Sequence, residues 1–280
     1  MSLRGGMLVD THGGRSDLQI GPLTFGPLDG NTPLDVTEPV LEFDRLPRGF
    51  DGFRLAVVAD LHLGHFVRTS FARRVLEAVA ERRPELLLLC GDMADRPRHF
   101  THRLAAMLSE LCGDIPTYAI LGNHDYYSGA RRLSRIIAAA GVDVLVNEHR
   151  LIRRGGDEEA IALIGLDDIE CGWPDARAAS AGVPEGTFTI LAAHDPLLAD
   201  EIAPLERPDL MLAGHTHGGQ VCILGIPLAK GIRNWHYVAG LSLRPGFPLY
   251  VSRGLGATGV PIRFHSLSEL PIVTLRSKAQ

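Results

Sequence analysis

Five times along this chain a short apolar run stops at a cluster of Asp, His, Asn and Gly. FRLAVVA (53–59) is followed by Asp60-x-His62, LLLLC (86–90) by Gly91-Asp92, and YAIL by Gly122-Asn123-His124-Asp125. TILAA runs into His194, and LMLA (210–213) into Gly214-His215-Thr216-His217. Apolar runs this short, bounded by turn residues, predict buried strands. Open α/β sheets build ligand sites at the carboxyl ends of strands, which is where all five clusters fall.

The segments between the runs have a helical period. Phe71, Val75, Leu76 and Val79 predict a helix over 70–82, with Ser70 as its N-cap and Pro84 beyond its end. Further helices are predicted over 103–111 and 131–140, with strands at 118–121 and 144–146. This alternation gives an α/β class with a parallel sheet. Strands at 160–164, 187–193, 210–213, 249–251 and 272–275 then call for a second sheet. Residues 1–35 hold seven glycines and three prolines and read as a flexible N-terminal arm. An edge strand is expected from Asp35 onward, and 36–280 reads as one layered domain without a fixed-period repeat.

Composition narrows the function. Twenty-eight basic against 33 acidic residues give a net charge of -5, which weighs against a large nucleic-acid partner. The four cysteines, Cys90, Cys112, Cys171 and Cys222, form no C-x-x-C pair and read as reduced thiols, Cys90 as a buried structural one. No run approaches the roughly 18 apolar residues of a membrane span, and the start lacks the apolar core of a secretory signal. A cytoplasmic location is the expectation, with no transmembrane segment; peripheral membrane contact stays open.

The donor types define the chemistry. Carboxylate and amide oxygens with imidazoles, and no thiolates, suit a first-row divalent metal: manganese, or iron, nickel or zinc. The candidate ligands Asp60, His62, Asp92, Asn123, His194, His215 and His217 are too many for one ion. They suit two ions that share a bridging carboxylate, as in two-metal hydrolases with ions about 3.5–4 Å apart. Gly91, Gly122 and Gly214 are expected to let the chain turn sharply off each strand.

In this order, DxH, GD, GNHD, H and GHTH resemble the calcineurin-like metallophosphoesterase superfamily, over about 53–217. DLHLG, GHTHGGQV (214–221) and LYVSRGLG (249–256) are similar to its bacterial YkuE-like and YaeI-like phosphodiesterase branch. The resemblance implies a four-layer α/β/β/α sandwich with two mixed sheets. It implies a metal-dependent phosphodiesterase with a dinuclear centre and a bridging hydroxide nucleophile, acting on a small phosphate ester. On that resemblance Asp60, His62 and His217 hold one ion, Asn123, His194 and His215 the other, and Asp92 bridges. His124 then stands outside the metals, contacting the phosphate and assisting the leaving oxygen, with Asp125 expected to orient its ring.

Alternatives stay open at this level. The same motifs serve a phosphomonoesterase, protein or small-molecule, because the metals meet the same phosphoryl centre. Enzymes of the superfamily that cleave UDP-diacylglucosamine carry arginine in their better-known branch where this chain has His124, which argues against that branch while a lipid-headgroup or nucleotide-sugar diester stays open. A non-catalytic scaffold of this fold has no need of the full ligand set. Asp95 reads as a turn or helix-cap residue rather than an orienting one, and Arg96 and Arg98 as solvated. His65, His99 and His102 fit no slot, and Trp235-His236-Tyr237 reads as a substrate wall or an edge packing unit.

Overall fold

A computed structural model of the chain describes residues 23–95, 99–154, 159–202, 207–223, 226–227 and 236–278. One sheet contains β1 (Leu34–Thr37), β2 (Val40–Phe43), β3 (Phe53–Val58), β4 (Leu86–Cys90), β5 (Thr117–Ile120), β6 (Asp143–Val144) and the long C-terminal strand Ser268–Ser277. From β3 to β6 the strands run parallel, while the C-terminal strand is antiparallel to β3 and parallel to β1 and β2. The second sheet contains β7 (Glu148–Arg153), β8 (Ala160–Gly165), β9 (Phe188–Ala192), β10 (Leu210–Ala213), β11 (Gly240–Ser242) and β12 (Leu249–Val251). Its centre, β8-β9-β10-β12, is parallel, and β7 and β11 close its two edges antiparallel. Both sheets are therefore mixed, in a mixed α/β architecture.

The packing follows from the strand period, which sends successive side chains to opposite faces. In β3, Leu55 and Val57 share a buried cluster with Leu88 and with Ile161, Leu163 and Leu212 of the second sheet. The alternate residues Ala56 and Val58 belong instead to the cluster that contains the helices. All five residues of β4 are buried, as a strand covered on both faces requires.

The helices are α1 (Thr69–Arg82), α2 (His99–Cys112), α3 (Asn123–Ser128), α4 (Ala130–Ala138), α5 (Ala176–Ser180) and α6 (Leu198–Glu201). One buried cluster joins α1, α2 and α4 to the first sheet, through Phe71, Leu76, Leu104, Leu108, Leu133 and Ile137. A second lies between facing residues of the two sheets, and a third joins α5 and α6 to the second sheet through Ala179, Leu198 and Ala199.

Three expectations change. The N-cap of α1 is Arg68, without a side-chain cap; the Ser70 hydroxyl instead accepts from Gly30 N at 3.2 Å. The arm boundary at residue 35 is too late, because Leu28 is fully buried and Thr24–Phe25 pairs with Ile262–Arg263. Residues 1–22 of that arm lie outside the described residues. Strand β7 is an addition to the expected strands: its sequence EHRLIR is charged at both ends, and it is held as a sheet edge by pairing with β8.

Candidate metal centre

The parallel strands β3, β4, β5, β9 and β10 each hand the chain to one polar cluster. Asp60, Asp92, Asn123, His194 and His215 follow these strands within three residues. Backbone bonds lock the turns to one another: Asp60 N donates to Gly91 O at 3.1 Å, and Gly214 N to His194 O at 3.0 Å.

Two groups of expected ligands result. Asp60, His62 and His217 offer ligand atoms within 4.8 Å of one another, and so do Asp92, His194 and His215. His62 Nε2 lies 3.1 Å from His217 Nε2, and His217 Nε2 lies 3.5 Å from Asp60 Oδ1. Asp92 Oδ2 stands between the groups, 3.4 Å from His62 Nε2 and 3.2 Å from His194 Nε2. Ligands about 2.1 Å from one ion are spaced about 3.0–3.4 Å apart, so these gaps have the size of coordination edges.

Hydrogen bonding orients the donors. His194 Nδ1 meets the Cys90 carbonyl at 2.9 Å, which holds a proton on Nδ1 and turns Nε2 toward Asp92 Oδ2, so that Nε2 is the nitrogen a cation would take when the ring is neutral. The Asn123 side-chain oxygen is buried without a hydrogen-bond partner among the described residues, an arrangement that costs energy unless a cation completes it. Asp92 Oδ1 accepts from His124 N at 2.8 Å, and the Asp60 carboxylate accepts from His215 N at 2.9 Å. The donor set and its orphaned oxygen fit divalent cations.

Charge points the same way. Burial opposes protonation of His194, but Asp92 and Asp60 outweigh it and carry its pKa up to about 10. Burial also penalises the Asp92 carboxylate, yet His194, His62 and His124 hold it well below the usual range. The pocket attracts positive charge, which protons or metal ions can supply.

Backbone strain is concentrated here. Asp60, His62, Asp92, His215 and His217 all have φ between 47° and 68°, a region non-glycine residues seldom occupy. The glycines serve two purposes. Gly91, at φ 81°, makes the expected turn. Gly214 is needed for clearance, since a Cβ there would stand 2.7 Å from Asp60 Oδ2, and one on Gly122 would collide with the Asp92 carboxylate.

Two acidic residues exchange the roles expected of them. Asp125 does not reach the His124 ring: its oxygens accept from Asp92 N at 2.8 Å, Met93 N at 2.9 Å and Gly122 N at 3.0 Å. Burial and the neighbouring Asp92 push its pKa up to about 6. Asp95 is the residue that meets His124, with Oδ1 3.1 Å from His124 Nδ1 and 3.1 Å from His62 Nδ1. Its position three residues after Asp92 is the available sequence signal.

Other contributors carry no motif. The fully enclosed Arg263 guanidinium donates to the carbonyls of His217 at 3.1 Å and Arg253 at 2.6 Å, fixing the loops behind the site. Asp195 Oδ2 lies 3.5 Å from His215 Nε2. Tyr237 is buried, with its hydroxyl donating to Asp200 Oδ1 at 2.5 Å. His65 and His102 are exposed outside the donor groups. Arg96, Arg98, Trp235 and the side chain of His99 lie outside the described residues. Cys90 is free and buried, and burial raises its thiol pKa.

Residues 53–219 match the family model described as calcineurin-like phosphoesterase. The Bacillus subtilis protein "Uncharacterized metallophosphoesterase YkuE" is 30% identical over 249 residues, covering 87% of this chain and 86% of that protein. Escherichia coli "Phosphodiesterase YaeI" is 33% identical over 213 residues, covering 73% of this chain and 76% of that protein. The Danio rerio "Transmembrane protein with metallophosphoesterase domain" is 29% identical over 264 residues, 90% of this chain but 60% of that protein. Among the described residues, no helix is long and apolar enough to cross a membrane.

Proposed function

Because the chain belongs to the calcineurin-like phosphoesterase family, we propose that it is a phosphodiesterase working with two divalent cations, manganese first among them. The reading rests on one observation: Asp92 Oδ2 lies 3.4 Å from His62 Nε2 and 3.2 Å from His194 Nε2. A carboxylate so shared suits the bridge between two ions. Asp60, His62 and His217 would hold one cation, and Asn123, His194 and His215 the other. Such cations supply Lewis-acid stabilisation of phosphoryl charge and a water acidic enough to attack at neutral pH.

The chain's own groups do the rest. His124 has a side chain 29% exposed, so it is open to a bound ester. With Nδ1 held by Asp95, its Nε2 is directed away from that carboxylate and can donate a proton to the leaving oxygen. Asp125, bound to three backbone amides, holds the Asp92 and Gly122 turns together. The diester preference draws on the name of YaeI, similar over 73% of this chain.

The test is hydrolysis of a chromogenic phosphodiester beside its monoester analogue, by protein stripped of metal and reloaded with Mn²⁺. Metal-restored turnover favouring the diester supports the reading. Preference for the monoester would replace it with a phosphomonoesterase.

A further inference from the structure

A two-stranded antiparallel ribbon pairs Thr24 with Arg263 and Phe25 with Ile262. Paired residues share a face and successive residues alternate, so Leu23, Phe25 and Ile262 lie on one side and Thr24 and Arg263 on the other. The Arg263 side faces inward, where the guanidinium binds the carbonyls of His217 and Arg253. The apolar side faces outward: Leu23 is 59%, Phe25 78% and the adjoining Val260 46% exposed. An amphipathic ribbon with its cation buried and its apolar face in solvent is the reverse of what water favours.

Among the described residues, the three segments that form this face carry no acidic side chain, although Asp29 follows Leu28 directly and Asp95 packs against Gly64. Residues 23–28, 63–69 and 259–265 contain no Asp or Glu, in a chain with 33 of them. They do carry His65 and Arg68, both exposed. Backbone bonds join the segments: Leu28 N donates to Phe66 O at 2.7 Å, Arg68 N to Leu28 O at 2.8 Å, and Gly26 N to Pro261 O at 2.9 Å.

We propose that this ribbon docks the protein onto an anionic lipid surface. Phe25, Leu23 and Val260 enter the headgroup–acyl boundary, and Arg68 meets the lipid phosphates. A second copy of the chain is the weaker occupant, since a stable protein interface uses roughly 20–30 residues a side and this face offers a single ribbon. Docking here sets the metal centre beside the bilayer, because the 63–69 segment follows His62 directly and Arg263 holds the His217 carbonyl. The docking does not depend on the phosphodiesterase reading.

Vesicle flotation of the purified full chain tests it, with phosphatidylcholine vesicles containing or lacking phosphatidylglycerol. The wild type is expected to float with the anionic vesicles, and high salt or Arg68→Glu to weaken it. Phe25→Ser is expected to lower the partition about tenfold or more, from the lost ring burial. Val260→Ser provides a second variant, and unchanged melting temperatures establish that both remain folded. Absence of wild-type flotation, or equal flotation of Phe25→Ser, overturns the proposal. So does light scattering that shows a dimer dispersed by Phe25→Ser, which would assign the face to a second copy.

Discussion

One carboxylate oxygen joins a candidate metal ligand to the candidate proton donor: Asp95 Oδ1 lies 3.1 Å from Nδ1 of both His62 and His124. Burial opposes its charge, but bonding to His124 and His62 holds its pKa down to about 2, so it is ionised at working pH. Asp95→Asn keeps the shape but removes the charge that fixes two rings. Turnover is expected to fall about 10–100-fold, the usual cost of losing such a partner. Steady-state kinetics with parallel metal analysis checks this; unchanged turnover would remove the positioning role.

His124→Asn should separate proton donation from metal binding. Loss of a general acid typically costs about 10²–10⁴ in rate, and the metal content should stay at the wild-type level. The deficit should shrink for esters with an acidic phenol leaving group, which needs no proton.

Asp92→Asn removes the charge shared by both donor groups. Turnover is expected to drop by orders of magnitude, with fewer metal equivalents retained. Near-normal activity would contradict the two-metal assignment.

Gly214→Ala tests clearance. Its Cβ would stand 2.7 Å from Asp60 Oδ2, so the carboxylate must move. Metal affinity is expected to fall about tenfold or more while the far-ultraviolet circular dichroism stays native.

Protons and metal compete for His194. Its folded pKa, opposed by burial but raised by Asp92 and Asp60 to about 10, exceeds the usual 6.5. In metal-free protein this raised pKa contributes stability that is fully present below pH 6.5 and lost as pH rises through about 10. Metal binding needs the neutral ring, so it should release protons and tighten as pH rises over that window. Melting curves of the stripped protein and calorimetry in buffers of different ionisation enthalpy measure the two effects.

Much of this is legible in the sequence. Apolar runs such as LLLLC, buried at all five positions, mark strands covered on both faces, and the polar residues just after them mark the site. What the sequence hides is pairing across distance. By proximity in the chain Asp125, the next residue, is the expected partner of His124 and Asp95, 29 residues away, is not; only the fold brings Asp95 to the ring and commits Asp125 to the backbone amides of Asp92, Met93 and Gly122. Arg263 belongs to none of the motifs and acts through carbonyls, which leave no trace in residue identity. The strand Glu148–Arg153 escapes a reading by periodicity because an edge strand with charged ends lacks the apolar run that reveals a central one.

The most direct measurement is turnover of a chromogenic phosphodiester by stripped protein titrated with Mn²⁺, with bound metal counted at each point. The account predicts that activity rises only as the second equivalent binds and saturates near two per chain. Full turnover without metal, or saturation at one equivalent, would contradict it.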